Sequence, residues 1–489
     1  MTVAPVLRPY QVEAVAAIRA AFALVFRVLF CLPTGGGKTV CFAYITANAA
    51  AKGNRVIVIA HRQEIVDQIA AALTAMGVAH GRIQPGYPMT DDLVQVAMVQ
   101  TLARRLDTIP VPTLLVIDEC HHAVSDTYAR IAAAWPGVKT LGVSATPERL
   151  DGRGLNEAFD RMVIGPDVRE LIDAGHLAPF RYLAPDTAID MSRVRSFGGD
   201  YNSADLENAV DQEGITGDVV RHYLKHLTGR TALCFCVTVA HAEHVAIRFR
   251  DNGIPAASID GTMLADERRE LVNRLRDGDI LVLTSCEVIS EGFDAPAVGG
   301  AILLRPTASF ALFRQQVGRC LRPKPDGSAA VIIDHVGNVF RHGLPDAPHE
   351  WSLDSKKRTQ AERQQAAAGC RTCKACREVF PTGAGRDACS MPEADDCLFQ
   401  PRVLPEREGE LVAFAANDSS PHWARGLDLR TATGSQWFLL MQRADGDPER
   451  LREIQIARGY KRGWVKYAVD EAAEKRARAI EMSRKRIMA

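Results

Sequence analysis

Residues 33–39 read PTGGGKT, and residues 118–122 read DECHH. Each follows a short apolar run, and together they hold the ingredients of phosphate chemistry. A Gly-rich loop lets backbone N–H groups turn inward around phosphate oxygens. Thr34, Gly35, Gly36 and Gly37 then form a cradle, Lys38 reaches the outer phosphates and Thr39 offers a hydroxyl to Mg²⁺. Leu32 stands where such loops commonly carry their first glycine. The run TLLVIDEC reads as a strand ending in adjacent carboxylates. Asp118 suits the magnesium side of a nucleotide, and Glu119 suits polarising a water that attacks the terminal phosphate. An ordinary glycine turn explains the first motif alone. The order of the two, each after an apolar strand, favours a site that hydrolyses a nucleotide with Mg²⁺.

A second cluster has different chemistry. Of the twelve cysteines, Cys31, Cys41, Cys120, Cys234, Cys236, Cys286 and Cys320 sit singly or in apolar strands, as small buried hydrophobes do. The other five crowd into residues 370–397. In a reducing compartment that points to metal instead of disulfides. Cys373 and Cys376 make a knuckle, CKAC, whereas seven residues separate Cys389 from Cys397. The expected Zn²⁺ ligands are Cys373, Cys376, Cys389 and Cys397, with Cys370 as the substitute if the irregular pair fails. A metal-free loop is the alternative, and it would leave these thiols open to oxidation. Further on, ARGYKRGWVKY interleaves aromatic and basic residues. Trp464 there can stack on an unpaired base while the cations meet phosphates. The same composition suits a docked, packed segment, and both readings stand.

These residues need elements to position them. The chain has 489 residues, too many for one ordinary core, and its charges sum to zero. Net charge therefore gives no sign of a nucleic-acid partner, and any basic surface must be local. The apolar N-terminal stretch is interrupted by Arg19 and Arg27 and runs into the phosphate loop, so it reads as helix then strand. No segment is apolar for long enough to span a bilayer, and the expected location is cytoplasmic, without membrane contact. Strands VLFCLP, RVIVIA, VQVAMV, TLLVIDE and TLGVSA alternate with helical stretches, which predicts a parallel sheet with crossover helices over residues 1–150. Residues 151–215 lose that rhythm and read as a connector. It resumes with TALCFCV, AASID, ILVLTS, GAILLRP and AAVIIDH, giving a second sheet domain over 216–345 that lacks a phosphate loop. Residues 346–369 read as a linker, 370–400 as the zinc module, and 401–489 as an accessory region ending in a basic helical tail.

The motifs, in this order, resemble superfamily 2 helicases of the DEAD/DEAH type, nearest the bacterial and phage group of RadD-like, XPB-like and restriction-subunit-like ATPases. The resemblance covers residues 6–340. It implies an α/β fold of two tandem RecA-like domains with a small zinc-containing C-terminal region. LRPYQVEAV is similar to the family's adenine-recognition segment, which places Tyr10 on the base and Gln11 at its edge. AHRQEIVDQ resembles motif Ia and VAMVQTLAR motif Ib, implying strand contacts from Arg62, Gln100 and Thr101, with Arg104 and Arg105 as further phosphate contacts. SATPER resembles motif III, in which Ser144 and Thr146 couple the phosphate site to the nucleic-acid track. LTSCEVISEGFDAP resembles motif V, implying nucleotide contacts from Gly292 and Asp294 and a strand contact from Thr284. FRQQVGRCLRP resembles motif VI. Gln315, Arg319 and Arg322 fall at i, i+4 and i+7, expected on one helix face, from which an arginine finger reaches the γ-phosphate. DECH in place of DEAD lowers the weight of the RNA-specific branch, and one of His121 and His122 is expected to link motif II to motif VI.

The implied activity is an ATP-dependent helicase or translocase acting on DNA, single-stranded or forked by preference, in repair, recombination or phage replication. Protein partners are expected through the C-terminal region. Two alternatives remain open at this point: a restriction-type motor subunit that joins a separate nuclease, and a zinc-dependent DNA-binding adaptor whose ATPase only gates binding.

Overall fold

A computed structural model describes residues 6–120, 126–147, 154–185, 191, 194–197, 200–202, 205–206, 213–286, 298–354, 369–392, 394, 397–398, 424, 429–430, 432–461 and 463–470. His121, His122, Gly292 and Asp294 lie outside the described residues. The chain divides into two compact units, Met1–Pro401 and Arg402–Ala489.

In the first unit, α1 (Pro9–Ala21) precedes β1 (Arg27–Cys31). Then come α2 (Lys38–Ala50), β2 (Val56–Ala60), α3 (Gln63–Ala75), β3 (His80–Ile83), β4 (Val94–Met98), the short α4 (Val99–Ala103), β5 (Leu114–Asp118), α5 (Asp126–Ala134), β6 (Lys139–Ser144) and β7 (Arg161–Ile164). The strands form one seven-stranded sheet in the order β3-β4-β2-β5-β6-β1-β7, with every pairing parallel. A parallel sheet is covered on both faces, so its central strands must be apolar throughout. VIVIA in β2 and LLVID in β5 are buried at every position. Helices α1, α2 and α3 pack on one face, and Tyr128 and Ile131 of α5, with Trp135 just after it, belong to the core on the other.

The elements around the second sheet are α6 (Val168–Asp173), β8 (Phe180–Leu183), the separate small hairpin β9 (Ser196–Phe197) and β10 (Asp200–Tyr201), α7 (Glu213–His226), β11 (Ala232–Phe235), α8 (Val239–Asp251), β12 (Ala256–Ile259), α9 (Ala265–Asp277), β13 (Val282–Ser285), β14 (Gly300–Leu303), α10 (Phe310–Gly318), β15 (Ala330–Asp334) and α11 (Val339–His342). Its six strands run β12-β13-β11-β14-β15-β8, again all parallel. The expected pair of tandem RecA-like sheets is present.

The segment expected to be a connector differs from that expectation. Its β7 closes the first sheet beside β1, and its β8 forms the edge of the second beside β15. The polar composition of residues 151–215 hides two edge strands of only four residues each, RMVI and FRYL. Residues 346–354 also do more than link. The N–H groups of Leu155 and Asn156 donate to Leu353 O at 2.8 and 3.1 Å, and Trp351 packs against the cores of both sheet domains.

The cysteine-rich segment opens with the antiparallel pair β16 (Cys370–Thr372) and β17 (Val379–Pro381). It docks on the edge strand β8. Ala184 N donates to Arg377 O at 3.2 Å, Arg181 Nε donates to Glu378 Oε1 at 2.6 Å, and Cys370 and Val379 enter the second domain's core. The C-terminal unit contains α12 (Gly434–Ala444) and α13 (Pro448–Arg458), packed through Leu440, Leu451 and Ile454. Among the described residues, no helix is long and apolar enough to cross a membrane.

Candidate active site

The phosphate loop joins β1 to α2. Gly37 takes φ 87°, and a Cβ there would lie 2.5 Å from Gln11 Nε2, so only glycine allows the loop to close on α1. Two side chains from α1 brace it. Tyr10 Oη donates to Gly36 O at 2.7 Å, and Gln11 Nε2 donates to the same carbonyl at 3.2 Å. Gln11 Oε1 accepts from Arg8 N at 2.9 Å, and Gln11 is 3% exposed.

Strand β5 carries the acidic pair to the same edge. Glu119 N–H donates to Asp118 Oδ1 at 3.1 Å, and Glu119 sits in the left-handed region at φ 48°. A non-glycine residue there is strained, and the strain aims the carboxylate back at the loop, where Oε1 lies 4.0 Å from Lys38 Nζ. Burial, followed by the neighbouring Glu119 carboxylate, pushes the Asp118 pKa upward. Two buried carboxylates facing one ammonium leave excess negative charge. A divalent cation relieves that excess, so this donor set, with the Thr39 hydroxyl beside it, fits Mg²⁺.

The second domain supplies the opposite wall. Thr34, Gly35, Gly37, Lys38, Thr39, Asp118 and Glu119 share one cleft of about 510 Å³ with Arg319 and Arg322. The expected helix face is corrected here. Helix α10 ends at Gly318, and Arg319 N and Cys320 N close i−3 turns onto Gln316 O and Val317 O, so Arg322 lies past the helix. Pro323 disfavours helical backbone at the residue before it. Gly318 itself is required, because a Cβ would sit 2.8 Å from Thr34 Cβ. Gln315 is 3% exposed and does not line the cleft. The domains also meet away from the cleft: Arg268 of α9 pairs with Glu64 of α3, and Arg269 lies 3.9 Å from Asp67.

Ser144 and Thr146 are fully buried at the end of β6. Ser144 Oγ donates to Thr146 O at 3.0 Å and accepts from Thr146 N at 3.1 Å. Thr146 Oγ1 is buried without a hydrogen-bond partner among the described residues. Ala145 between them borders a small gap shared with Arg314 and Gly318 of the second domain, so this turn lies at the domain interface.

Of the expected strand contacts, Gln100 is exposed, and Thr101 and Arg62 are half-buried, at the starts of α4 and α3. Thr284 is corrected: it is 0% exposed and its hydroxyl donates inward to Ala242 O at 2.8 Å, so it has no surface to offer a strand. Trp464 is half-buried and packs with Tyr460 at 4.8 Å and Trp437 at 6.5 Å between centroids, against the C-terminal unit's core. That placement accounts for the packing reading, and the half-buried ring leaves the base-stacking reading standing beside it. Sequence reasoning missed His176, which lines the nucleotide cleft from the supposed connector.

In the cysteine cluster, the sulfurs of Cys373, Cys376 and Cys397 lie 3.9, 3.7 and 3.5 Å from that of Cys389. A disulfide would need about 2 Å, whereas a sulfur tetrahedron with Zn–S near 2.3 Å has edges of about 3.8 Å. Leu398 N donates to Cys373 Sγ and Met391 N to Cys389 Sγ, both at 3.4 Å. Against the opposing effect of burial, backbone N–H groups of Cys376, Leu398 and Ala375 bring the Cys373 thiol down to about 7. The donor set fits zinc. Cys370 packs instead in the second domain's core and is no substitute ligand.

Comparison with known proteins places these features in context. Residues 4–149 match the family described as type III restriction enzyme, res subunit, and residues 216–324 match the helicase conserved C-terminal domain. A 51.5 kDa protein of a Lactococcus phage is 35% identical over 349 residues, covering 71% of this chain and 74% of that protein. IRC3 of Saccharomyces cerevisiae, named as an ATP-dependent helicase, is 31% identical over 371 residues; the match covers 71% of this chain but only 53% of IRC3. In fold, an HsdR-subunit fragment of a type I restriction enzyme from Vibrio vulnificus aligns with a TM-score of 0.54 at 21% identity, over 70% of this chain and 66% of that one.

Proposed function

Because the chain belongs to the superfamily 2 helicases, we propose that it is an ATP-dependent motor that moves along DNA. The observation that carries this reading is the shared cleft. Lys38, Thr39, Asp118 and Glu119 come from one sheet domain, and Arg319 and Arg322 come from the other. ATP bound there joins the domains, and its hydrolysis releases them. Lys38 holds the outer phosphates, Glu119 orients and deprotonates the attacking water, and the arginines meet charge developing on the γ-phosphate. Mg²⁺, when bound between Asp118 and Thr39, neutralises phosphate charge. Each cycle alternates the two domains' grip on a strand, which Arg62, Gln100 and Thr101 contact from the first domain. DECH in place of DEAD, and the match to a restriction-enzyme subunit family, favour DNA over RNA.

The test is ATPase activity with single-stranded, forked and duplex DNA and with RNA. Single-stranded or forked DNA should stimulate best, and stimulation should fall steeply with salt, by about 0.7 unit of log–log slope per phosphate neutralised on a single strand. Equal stimulation by RNA would defeat the DNA assignment.

Zinc held by Cys373, Cys376, Cys389 and Cys397 belongs to the same reading. Metal analysis of the reduced chain should return one Zn²⁺. Because the module rests on β8 and its Cys370 and Val379 enter the second domain's core, chelation should speed hydrogen exchange across 180–184 as well as 370–398. Protein free of metal after purification under reducing conditions would overturn the site.

A further inference from the structure

The family resemblance places base recognition on Tyr10 and Gln11, and both side chains hydrogen-bond at the phosphate loop, through Gly36 O and Arg8 N. Tyr10 does not line the cleft. Its ring is instead covered by His176, with centroids 5.1 Å apart and planes 47° apart. His176 does line the cleft, with Arg8, beside Gly35 and Gly37. Arg8 Nη1 donates to Tyr10 Oη at 3.3 Å, so Arg8, Tyr10 and His176 form one group at the phosphate loop.

His176 is held there firmly. Helix α6 starts on a reciprocal cap, with Glu170 N donating to Asp167 Oδ1 at 2.9 Å and Asp167 N to Glu170 Oε2 at 2.7 Å. It ends at Asp173, Gly175 with its φ of 70° turns the chain, and His176 N donates back to Leu171 O at 2.7 Å. The next residue, Leu177, is clamped on the loop: a Cβ on Gly35 would lie 2.8 Å from Leu177 Cδ2. The cleft volume of about 510 Å³ is ample for a nucleotide. With the phosphates fixed by Lys38, the base needs a flat wall, and His176 is the one aromatic ring among the described residues lining the cleft.

We propose that His176 is the base-binding residue of this site. The purine of ATP stacks on its imidazole, which Tyr10 backs, and the Arg8 guanidinium flanks the base. Tyr10 therefore acts behind the contact, as a positioning residue. Because the ring is already fixed by Tyr10 and by the α6 turn, little ordering cost is left to binding. The proposal rests on the ATP reading above, and it makes the connector between the sheet domains the part of the chain that senses the nucleoside.

The test compares ADP with inorganic tripolyphosphate as competitive inhibitors of the full-length chain, since both carry phosphates and only one carries a base. His176→Ala should raise KM for ATP and Ki for ADP about tenfold, with kcat within about twofold and Ki for tripolyphosphate unchanged. His176→Phe should restore ADP affinity. If His176→Ala does not fold, His176→Phe and His176→Leu carry the test: the first should keep ADP affinity and the second lose it. Parallel weakening of ADP and tripolyphosphate would show that the side chain only supports the phosphate loop, and would overturn the proposal. Unchanged ADP affinity would overturn it as well. Wild-type protein that binds tripolyphosphate as tightly as ADP would refute base stacking and leave the phosphate site standing. Wild-type protein that binds neither would refute the ATP reading and this proposal with it.

Discussion

Glu119→Gln should reduce ATP turnover about 10³-fold while leaving nucleotide binding intact. Glutamine keeps the shape of the side chain and its left-handed backbone, so Asp118 keeps the N–H that fixes its carboxylate at 3.1 Å. What is lost is the basic oxygen that lies 4.0 Å from Lys38 Nζ at the floor of the cleft. Steady-state ATPase with a parallel binding titration separates the two effects. Near-wild-type turnover would remove Glu119 from the role of base. Lys38→Ala should differ in kind, weakening nucleotide binding itself.

The second large effect is expected across the domain boundary. Arg322 follows the end of α10, and its Cγ lies 3.8 Å from a Cβ built on Gly35, directly over the phosphate loop. Arg322→Ala should lower kcat about 10³-fold with ATP affinity near normal, as expected of a residue that meets charge only in the transition state. Arg319 is 6% exposed and more deeply set. A loss of only a few-fold in Arg322→Ala, with a large loss in Arg319→Ala, would assign the finger to Arg319.

Much of this site was legible in the sequence because its chemistry is contiguous. A phosphate loop and a strand ending in carboxylates are local structures, so residue type and spacing nearly determine them. The cysteine knuckle was legible for the same reason, and despite their irregular spacing the sulfurs of Cys389 and Cys397 lie 3.5 Å apart. What was not legible depends on tertiary approach. Helical spacing put Arg322 on the face of Gln315, but the contact of Gly318 with Thr34 and the turn before Pro323 end the helix early. Thr284 carries a hydroxyl that reads as a strand contact, and only the sheet shows it pointing inward to Ala242. Tyr10 and Gln11 are implied as base contacts by the resemblance, and nothing local reveals that Gly36 O also accepts from both. His176 had one available signal, the Asp167–Glu170 cap followed by Gly175, which marks a short helix and a sharp turn. That signal gives no destination for the residue after the turn.

The central claim is that closure of the two domains over ATP drives movement, and the most direct measurement is displacement of streptavidin from the end of a biotinylated DNA strand. The account predicts ATP-dependent displacement by the wild-type chain. It predicts none with a non-hydrolysable ATP analogue or with Glu119→Gln, although both still bind the strand. ATP-dependent changes in DNA affinity with no displacement would contradict it, and would make the chain an ATP-gated DNA-binding protein instead of a motor.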